Sequence, residues 1–75
     1  MRSSQAANGF YEELYRAVSK LRQHPDLFPP YLHGTRRALL ERYPFSVVFR
    51  ELARKIQIIA VAHAKRKPAY WANRL

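Results

Sequence analysis

Three β-strands are predicted within residues 35–63, which read TRRALLERYPFSVVFRELARKIQIIAVAH. Apolar residues in this segment alternate with polar ones or form short runs, a pattern typical of strands. The predicted strands are 35–43, 45–52 and 55–63. Pro44 separates the first two strands, and the segment ARK at 53–55 turns the chain between the second and the third. Because connections this short join antiparallel neighbours, the segment predicts a three-stranded meander.

The alternation within each strand predicts which side chains share a face of the sheet. Successive side chains of a strand point to opposite faces. In the second strand the residues expected on one face are Phe45, Val47 and Phe49. In the third strand they are Ile56, Ile58, Ala60 and Ala62.

A helix is predicted over residues 8–23, before the strands. Its apolar positions recur at helical spacing and are Phe10, Leu14, Ala17, Val18 and Leu21. Asn8 is the predicted N-cap. The helix is expected to stop at His24, because Pro25 disfavours the helical conformation in the residue before it. Residues 1–7 are predicted to be disordered.

The segments that flank the strands complete the predicted fold. Residues 25–34, PDLFPPYLHG, contain three prolines and a glycine and are predicted to form a loop. Its side chains expected to anchor the loop to the core are Leu27, Phe28, Tyr31 and Leu32. Pro68 opens PAYWANRL, which is predicted to form a short C-terminal helix. Residues 1–75 are therefore predicted to form one α+β domain, in which the main helix packs on a small twisted antiparallel sheet.

The composition excludes several classes of function. The chain has no cysteine and only 2 glycines, and it contains no glycine-rich phosphate-binding motif. Its three histidines lie in separate segments without metal-ligand spacing, so neither a metal site nor a cofactor is expected. The longest apolar run, IIAVA, is far shorter than the ~18 residues that a membrane span needs. The absence of cysteine and of an apolar leader predicts a cytoplasmic protein that does not span a membrane.

The positive charge is concentrated in the C-terminal part of the chain. The formal net charge is +9, and residues 34–75 contribute ten Lys or Arg against two Asp or Glu. The segment HAKRKPAYWANR, residues 63–74, places four of these cations beside a tyrosine and the only tryptophan. A field of this kind attracts polyanions, which include nucleic acid, the ribosome and acidic proteins.

Cations beside tyrosines are suited to RNA. Lys and Arg hold phosphates and stabilise charge at a scissile phosphate. A tyrosine whose pKa is lowered by neighbouring cations can take the proton of a 2′-hydroxyl, or its ring can stack on a base. Trp71 is interpreted as a core residue in preference to a base-stacking one. His63 is interpreted as a hydrogen-bonded residue at a strand end in preference to a general base. Arg36 and Arg37 have a second interpretation, as charges that protect an edge strand.

The motifs together resemble those of a known family. HPDLFPP is followed by GTRRALLERYPFSVVFR and then by AVAHAKRKPAYWANR. This order resembles the RelE/ParE superfamily of toxins from bacterial type II toxin–antitoxin systems, in particular plasmid stabilisation proteins, from about Ala6 to Leu75. The resemblance implies a compact α+β fold with a basic concave face. It also implies that a strand and a helix found at the start of other members are missing here, which would leave a sheet edge unpaired and favour a homodimer through that edge.

The resemblance implies two alternative activities. RelE-like members cut messenger RNA on the ribosome without a metal, whereas ParE-like members inhibit DNA gyrase. Carried over by position, the catalytic residues fall on Arg37, Arg66 and Tyr70. Two further basic positions of the nuclease pattern fall on Leu39 and Ser46, which carry no charge.

The predicted function is that of a toxin neutralised by a cognate antitoxin, whose acidic C-terminal segment would cover the basic face. Residues expected to bind nucleic acid or another target are Arg36, Arg42, Arg50, His63, Lys65, Lys67 and Arg74. Two alternatives stay open at this point. The chain could be a basic nucleic-acid-binding module without toxicity, or an inactive truncated remnant.

Overall fold

The computed structural model describes residues 2–75, with side chains described from Asn8 onward. Its main elements are α1 (Arg2–Gln23), β1 (Arg36–Leu39), β2 (Phe45–Leu52) and β3 (Lys55–His63). Short 3-10 turns occupy Pro25–Leu27, Leu32–Gly34 and Ala72–Arg74. The helix packs with an antiparallel sheet of order β1-β2-β3, so the predicted α+β fold and the meander are confirmed.

Helix α1 begins at Arg2 and not at the predicted N-cap. Asn8 lies inside the helix, because the preceding residues include good helix formers such as alanine and glutamine and nothing among them stops the helix. Gly9 lies where α1 approaches Tyr43, and a Cβ at this position would come within 2.7 Å of the tyrosine hydroxyl oxygen. Met1 lies outside the described residues, and residues 2–7 are described only as helical backbone. The predicted disorder of residues 1–7 therefore stays a prediction.

Strands β2 and β3 have the predicted bounds, but β1 is shorter than predicted. It ends at Leu39 and not at residue 43. The backbone N–H groups of Glu41 and Arg42 donate to the carboxylate of Glu13 on α1, so they are not available to extend the β1–β2 ladder. A contact across the fold therefore overrides the local strand pattern.

The turn between β2 and β3 consists of Ala53 and Arg54. Their φ angles are 49° and 69°, in the left-handed region. Positive φ at both central residues is the signature of a type I′ hairpin turn, which normally carries Asn-Gly. Neither residue suits this conformation, because a Cβ disfavours it.

A β-bulge at Ile59 interrupts the ladder between β2 and β3. Val48 pairs with Ala60, whereas the next residue of β2, Phe49, pairs with Ile58. The extra residue moves the following side chains to the other face. On the side of the helix lie Ile56 and Ile58, and on the other side lie Ala60 and Ala62. The prediction that these four residues share a face is wrong. It assumed uninterrupted alternation, and the sequence gives no sign of the bulge.

Two hydrophobic clusters cover the two faces of the sheet. The cluster under α1 consists of Leu21, Ala38, Val47 and Phe49, with Leu14, Phe28 and Ile56 against it. The cluster on the opposite face is built around Trp71, which is 1% exposed, with Val48, Ile59, Ala60 and Ala62. Residues 68–75 therefore form the cover of the second face. The small alanines of β3 leave room for the indole ring.

The connecting loop and the C-terminal segment differ from the predictions in detail. Phe28 and Tyr31 pack against the two clusters as expected, but Leu27 and Leu32 are exposed and do not anchor the loop. The predicted short helix at the C-terminus is present as the 3-10 turn Ala72–Arg74. It does not start at Pro68, because Ala69 has a φ of 61°, which a right-handed helix cannot contain.

Candidate nucleic-acid interface

A cleft of about 160 Å³ opens on the sheet face that α1 does not cover. We call it the basic cleft. Its basic side chains and tyrosines are Tyr31, Arg37, His63, Arg66, Lys67 and Tyr70. They come from the connecting loop, from β1, from the end of β3 and from the C-terminal segment, so only the folded chain brings them together.

One wall of the basic cleft is an arginine–tyrosine pair. Arg37 of β1 lies opposite Val48 of β2, which places both on the face away from α1. The guanidinium carbon of Arg37 lies 4.2 Å from the centre of the Tyr31 ring. The N–H of Tyr31 donates to the carbonyl of Thr35 at 2.7 Å, which fixes the loop that carries the ring. The loop and β1 therefore present a preformed cation over an aromatic surface.

A second arginine–tyrosine pair also lines the cleft. The guanidinium carbon of Arg66 lies 3.9 Å from the centre of the Tyr70 ring. Arg74 approaches the same ring at 5.4 Å while its Nη1 donates to the carbonyl of Ile59 at 3.3 Å. The turn that carries Tyr70 is closed by the hydrogen bond from its N–H to the carbonyl of Lys67. Two arginines therefore hold one tyrosine ring.

Trp71 and Ser46 are two of the buried residues that line the cleft. The indole ring is 1% exposed and its centre lies 6.0 Å from that of Tyr31. The interpretation of Trp71 as a core residue is therefore confirmed, and its ring is covered where a base would have to stack. Ser46, from β2, is 9% exposed and contributes no charge.

His63 closes β3 at the edge of the cleft. Its Nδ1 accepts a hydrogen bond of 3.0 Å from the backbone N–H of Lys65. Its ring meets the ring of Phe45 edge-on at 4.8 Å. The interpretation as a hydrogen-bonded strand-end histidine is therefore confirmed. Because Nδ1 accepts, a neutral His63 carries its proton on Nε2.

Five of the seven residues predicted to bind the target lie outside the lining of the cleft. They are Arg36, Arg42, Arg50, Lys65 and Arg74. Arg36 donates to a backbone carbonyl of the connecting loop, and Arg42 pairs with Glu13 of α1 at 3.5 Å. Arg50 donates to Oε1 of Gln57 at 2.7 Å. The positive charge of the sheet half is therefore spread over both faces, and only part of it converges.

The carboxylate of Glu13 is held on the helix side of the sheet. Burial raises the pKa of this group, but the N–H donors of Glu41 and Arg42, together with the Arg42 guanidinium, outweigh that effect. The pKa of Glu13 is therefore below its ordinary value of 4.5. Arg42 is 63% exposed, so the ion pair itself adds little and the backbone donors matter more.

Tyr31 is the cleft residue that the sequence does not identify. It was predicted only as an anchor of the loop, and it does pack against the second cluster. Its pairing with Arg37 depends on how the loop returns to β1, which no local pattern encodes. The three predicted catalytic residues, by contrast, all line the cleft.

Comparison of the chain with protein-family models, with curated proteins and with solved structures gives no match. The likeness to RelE/ParE toxins therefore rests on the motifs alone. Among the described side chains, from Asn8 onward, no group of three or more His, Asp or Glu is placed to hold a metal ion. No helix within residues 2–75 is long and apolar enough to cross a membrane.

Proposed function

We propose that the chain is a growth-inhibiting toxin of the RelE/ParE kind and that it contacts RNA through the basic cleft. The observation that supports this proposal is the convergence of Arg37, Arg66 and Tyr70 on one cleft. These are the three positions that the motif resemblance marks as catalytic. Arg37 lies 29 residues before Arg66 in the sequence, so the fold, and not one local motif, brings it to the same cleft as Arg66 and Tyr70.

The two arginine–tyrosine pairs give the cleft the properties of a phosphate site. Each guanidinium stacks on the face of a tyrosine ring, at 4.2 Å for Arg37 and 3.9 Å for Arg66. Stacking engages the face of the guanidinium and leaves the N–H donors around its edge available. The aromatic rings therefore orient the cations without using the donors that would bind phosphate oxygens.

The same arrangement supports cleavage of RNA without a metal. In the proposed reaction the phenolate oxygen of Tyr70 takes the proton of a 2′-hydroxyl and becomes the neutral phenol, while the 2′-oxygen attacks the adjacent phosphorus. Arg37 and Arg66 stabilise the negative charge that develops on the phosphate oxygens. The bond to the 5′-oxygen breaks, and that oxygen leaves with a proton. That proton comes from water, and Tyr70 returns to the solvent the proton that it took.

A second candidate function is binding of nucleic acid without cleavage. It is favoured by Ser46 and Leu39, which occupy two basic positions of the nuclease pattern and carry no charge. A binding module needs only the cations of the cleft and would tolerate Tyr70→Phe.

The proposal includes a partner. An acidic antitoxin segment would neutralise the toxin by covering the basic cleft, which supplies the complementary charge. Co-expression with the protein encoded by the adjacent gene should then give a complex that Arg66→Ala weakens.

Induced expression in a bacterial host tests the proposal. We compare the wild-type chain, the Arg66→Ala/Tyr70→Phe variant and the matched control Arg16→Ala, which removes one exposed cation from α1 on the other side of the sheet. Growth and pulse-labelled synthesis of protein and DNA are followed, and circular dichroism checks that each variant folds. A prompt fall in protein synthesis, relieved by the cleft variant and not by the control, is the expected result.

The other outcomes separate the alternatives. If DNA synthesis fails first, the target is gyrase and the RNA part of the proposal is wrong. If the folded wild-type chain causes no arrest, it is not a toxin, and the binding module is the better account. If the cleft variant is as toxic as the wild type, the cleft is not the active surface.

A further inference from the structure

The outer edge of β3 is a second surface with the properties of an interface. Among residues 2–75, the sheet order leaves no strand beside this edge. β3 is 9 residues long, and only its first residue, Lys55, carries a full charge. A long, uncharged edge presents a row of backbone N–H and C=O groups that can pair with another strand.

The edge of β1, in contrast, is protected. β1 is 4 residues long and carries two adjacent arginines, Arg36 and Arg37. Pro30 forms an isolated bridge with Arg36, which covers the start of the strand. Proline, charge and short length are the features with which proteins prevent pairing at an edge. β3 has none of these three features between Ile56 and Ala62, and the bulge at Ile59 is the one interruption of its edge there.

Exposed apolar side chains adjoin the edge of β3 on the side of α1. Ile58 and Val61 are 42% and 38% exposed. The rings of Tyr11 and Tyr15 are stacked with centres 6.2 Å apart, and the two residues are 49% and 67% exposed. Glu13 lies on the flank of α1 that faces β1. The turn of the helix therefore sets the two tyrosines on the opposite flank, toward β3.

We propose that β3 pairs in antiparallel fashion with β3 of a second copy, so that two three-stranded sheets join into one. Antiparallel pairing makes a strand its own complement about a two-fold axis. An axis between Ile59 and Ala60 sets Ile58 of one copy opposite Val61 of the other, both on the side of α1, because the bulge puts Ile59 and Ala60 on the same face. Lys55 of one copy then lies beyond His63 at the end of the other β3, so the two lysines do not meet. With the axis perpendicular to the sheet, both helices lie on one side. Ile58 and Val61 of each copy then bury their exposed surface across the axis.

The charge distribution favours a second copy over an acidic partner at this edge. No cation lies between Ile56 and Ala62, so an acidic segment would gain no ion pair there. The cations of the basic cleft lie on the opposite face of the sheet and stay open to solvent in the dimer. Two chains of net charge +9 repel each other, and salt screens that repulsion.

The interface is small, and this determines how it must be measured. One strand and a few side chains from each copy fall at the low end of specific interfaces, so the dimer is weak and depends on concentration. Sedimentation equilibrium should therefore cover about 10 μM to 1 mM chain, at roughly 50 mM and 500 mM salt, where screening differs strongly. We expect the dimer fraction to rise with both chain concentration and salt.

Lysine substitutions identify the surface. Ile58→Lys and Val61→Lys each place a charged side chain opposite an apolar side chain of the other copy, which should weaken the dimer by at least about tenfold. Leu39→Lys is the matched control, because Leu39 is 66% exposed on β1 and the change is the same in kind. It should leave the dimer unchanged. Circular dichroism confirms that each variant is folded before its result is counted.

Three outcomes would overturn the proposal. If the folded chain stays monomeric up to the highest concentration, β3 does not pair with a second copy, and a strand of another protein is the remaining partner for its edge. A dimer that both β3 variants leave intact, or that Leu39→Lys breaks equally, uses another surface. The result is independent of the proposed function, since binding of RNA weakens with salt while this dimer strengthens.

Discussion

A glycine substitution in the turn of the β2–β3 hairpin should change the stability of the protein differently from a glycine substitution elsewhere in the chain. Ala53 adopts a φ of 49°, and a left-handed conformation costs a residue with a Cβ about 1–2 kcal/mol. Ala53→Gly removes that cost but gives the unfolded chain more freedom, which is worth about 0.5–1 kcal/mol. Ala64→Gly makes the same change at another exposed position whose φ is not in the left-handed region, so it brings only the second effect.

The difference between the two variants therefore isolates the conformation of the turn. We expect Ala53→Gly to be neutral or stabilising and Ala64→Gly to be destabilising, with about 1–2 kcal/mol between them. For a domain of this size, 1 kcal/mol corresponds to about 4–8 °C in Tm. Thermal unfolding followed by circular dichroism resolves that gap. If both variants lose the same stability, the hairpin is not closed by a left-handed Ala53, and the register of β3 would have to be reconsidered.

Three further predictions address the cleft, its support and the helix contact. Trp71→Ala should cost about 3–5 kcal/mol, a large share of the ~4–11 kcal/mol expected for 75 residues, and a loss below about 1 kcal/mol in urea unfolding would contradict the buried position of the ring. The pKa of Glu13 is lower in the folded than in the unfolded chain. The wild type should therefore be more stable than Glu13→Gln above pH 4.5, and this difference in the free energy of unfolding should be lost as the pH falls through the lowered pKa. A difference that does not depend on pH would refute the contact. Arg66→Ala should reduce the salt dependence of binding to a single-stranded RNA oligonucleotide by about 0.7 in the slope of log K against log salt concentration, measured by fluorescence anisotropy. Arg16→Ala should leave that slope unchanged, and an equal loss in both would mean that binding is not centred on the cleft.

The strands were predictable where the local pattern of apolar residues itself favours extended backbone. β2 and β3 were found within their correct bounds because alternating apolar residues in β2 and a β-branched run in β3 favour extended backbone. The bulge at Ile59 was not predictable, because an extra residue in an apolar run leaves no trace in the pattern. The end of β1 was missed for a different reason, since the acceptor that captures its backbone donors is Glu13, on the helix.

The candidate site was only partly predictable. Arg37, Arg66 and Tyr70 came from the motif resemblance, and the structure places all three at the basic cleft. Arg36 and Arg42 were included because of their charge, but charge along the sequence does not say which face of a sheet a side chain takes once loops and bulges intervene. Tyr31 was missed, because its pairing with Arg37 exists only in three dimensions.

The position of Trp71 makes the intrinsic tryptophan fluorescence of the protein a specific probe of its structure. The indole is the only one in the chain and lies under both tyrosines of the cleft. Its fluorescence emission therefore reports on the packing of residues 68–75 against the sheet. A ligand that enters the cleft, or a C-terminal segment that lifts away before the sheet melts, would change the wavelength and intensity of that single signal. Local opening of the segment and global unfolding can then be told apart without attaching a dye.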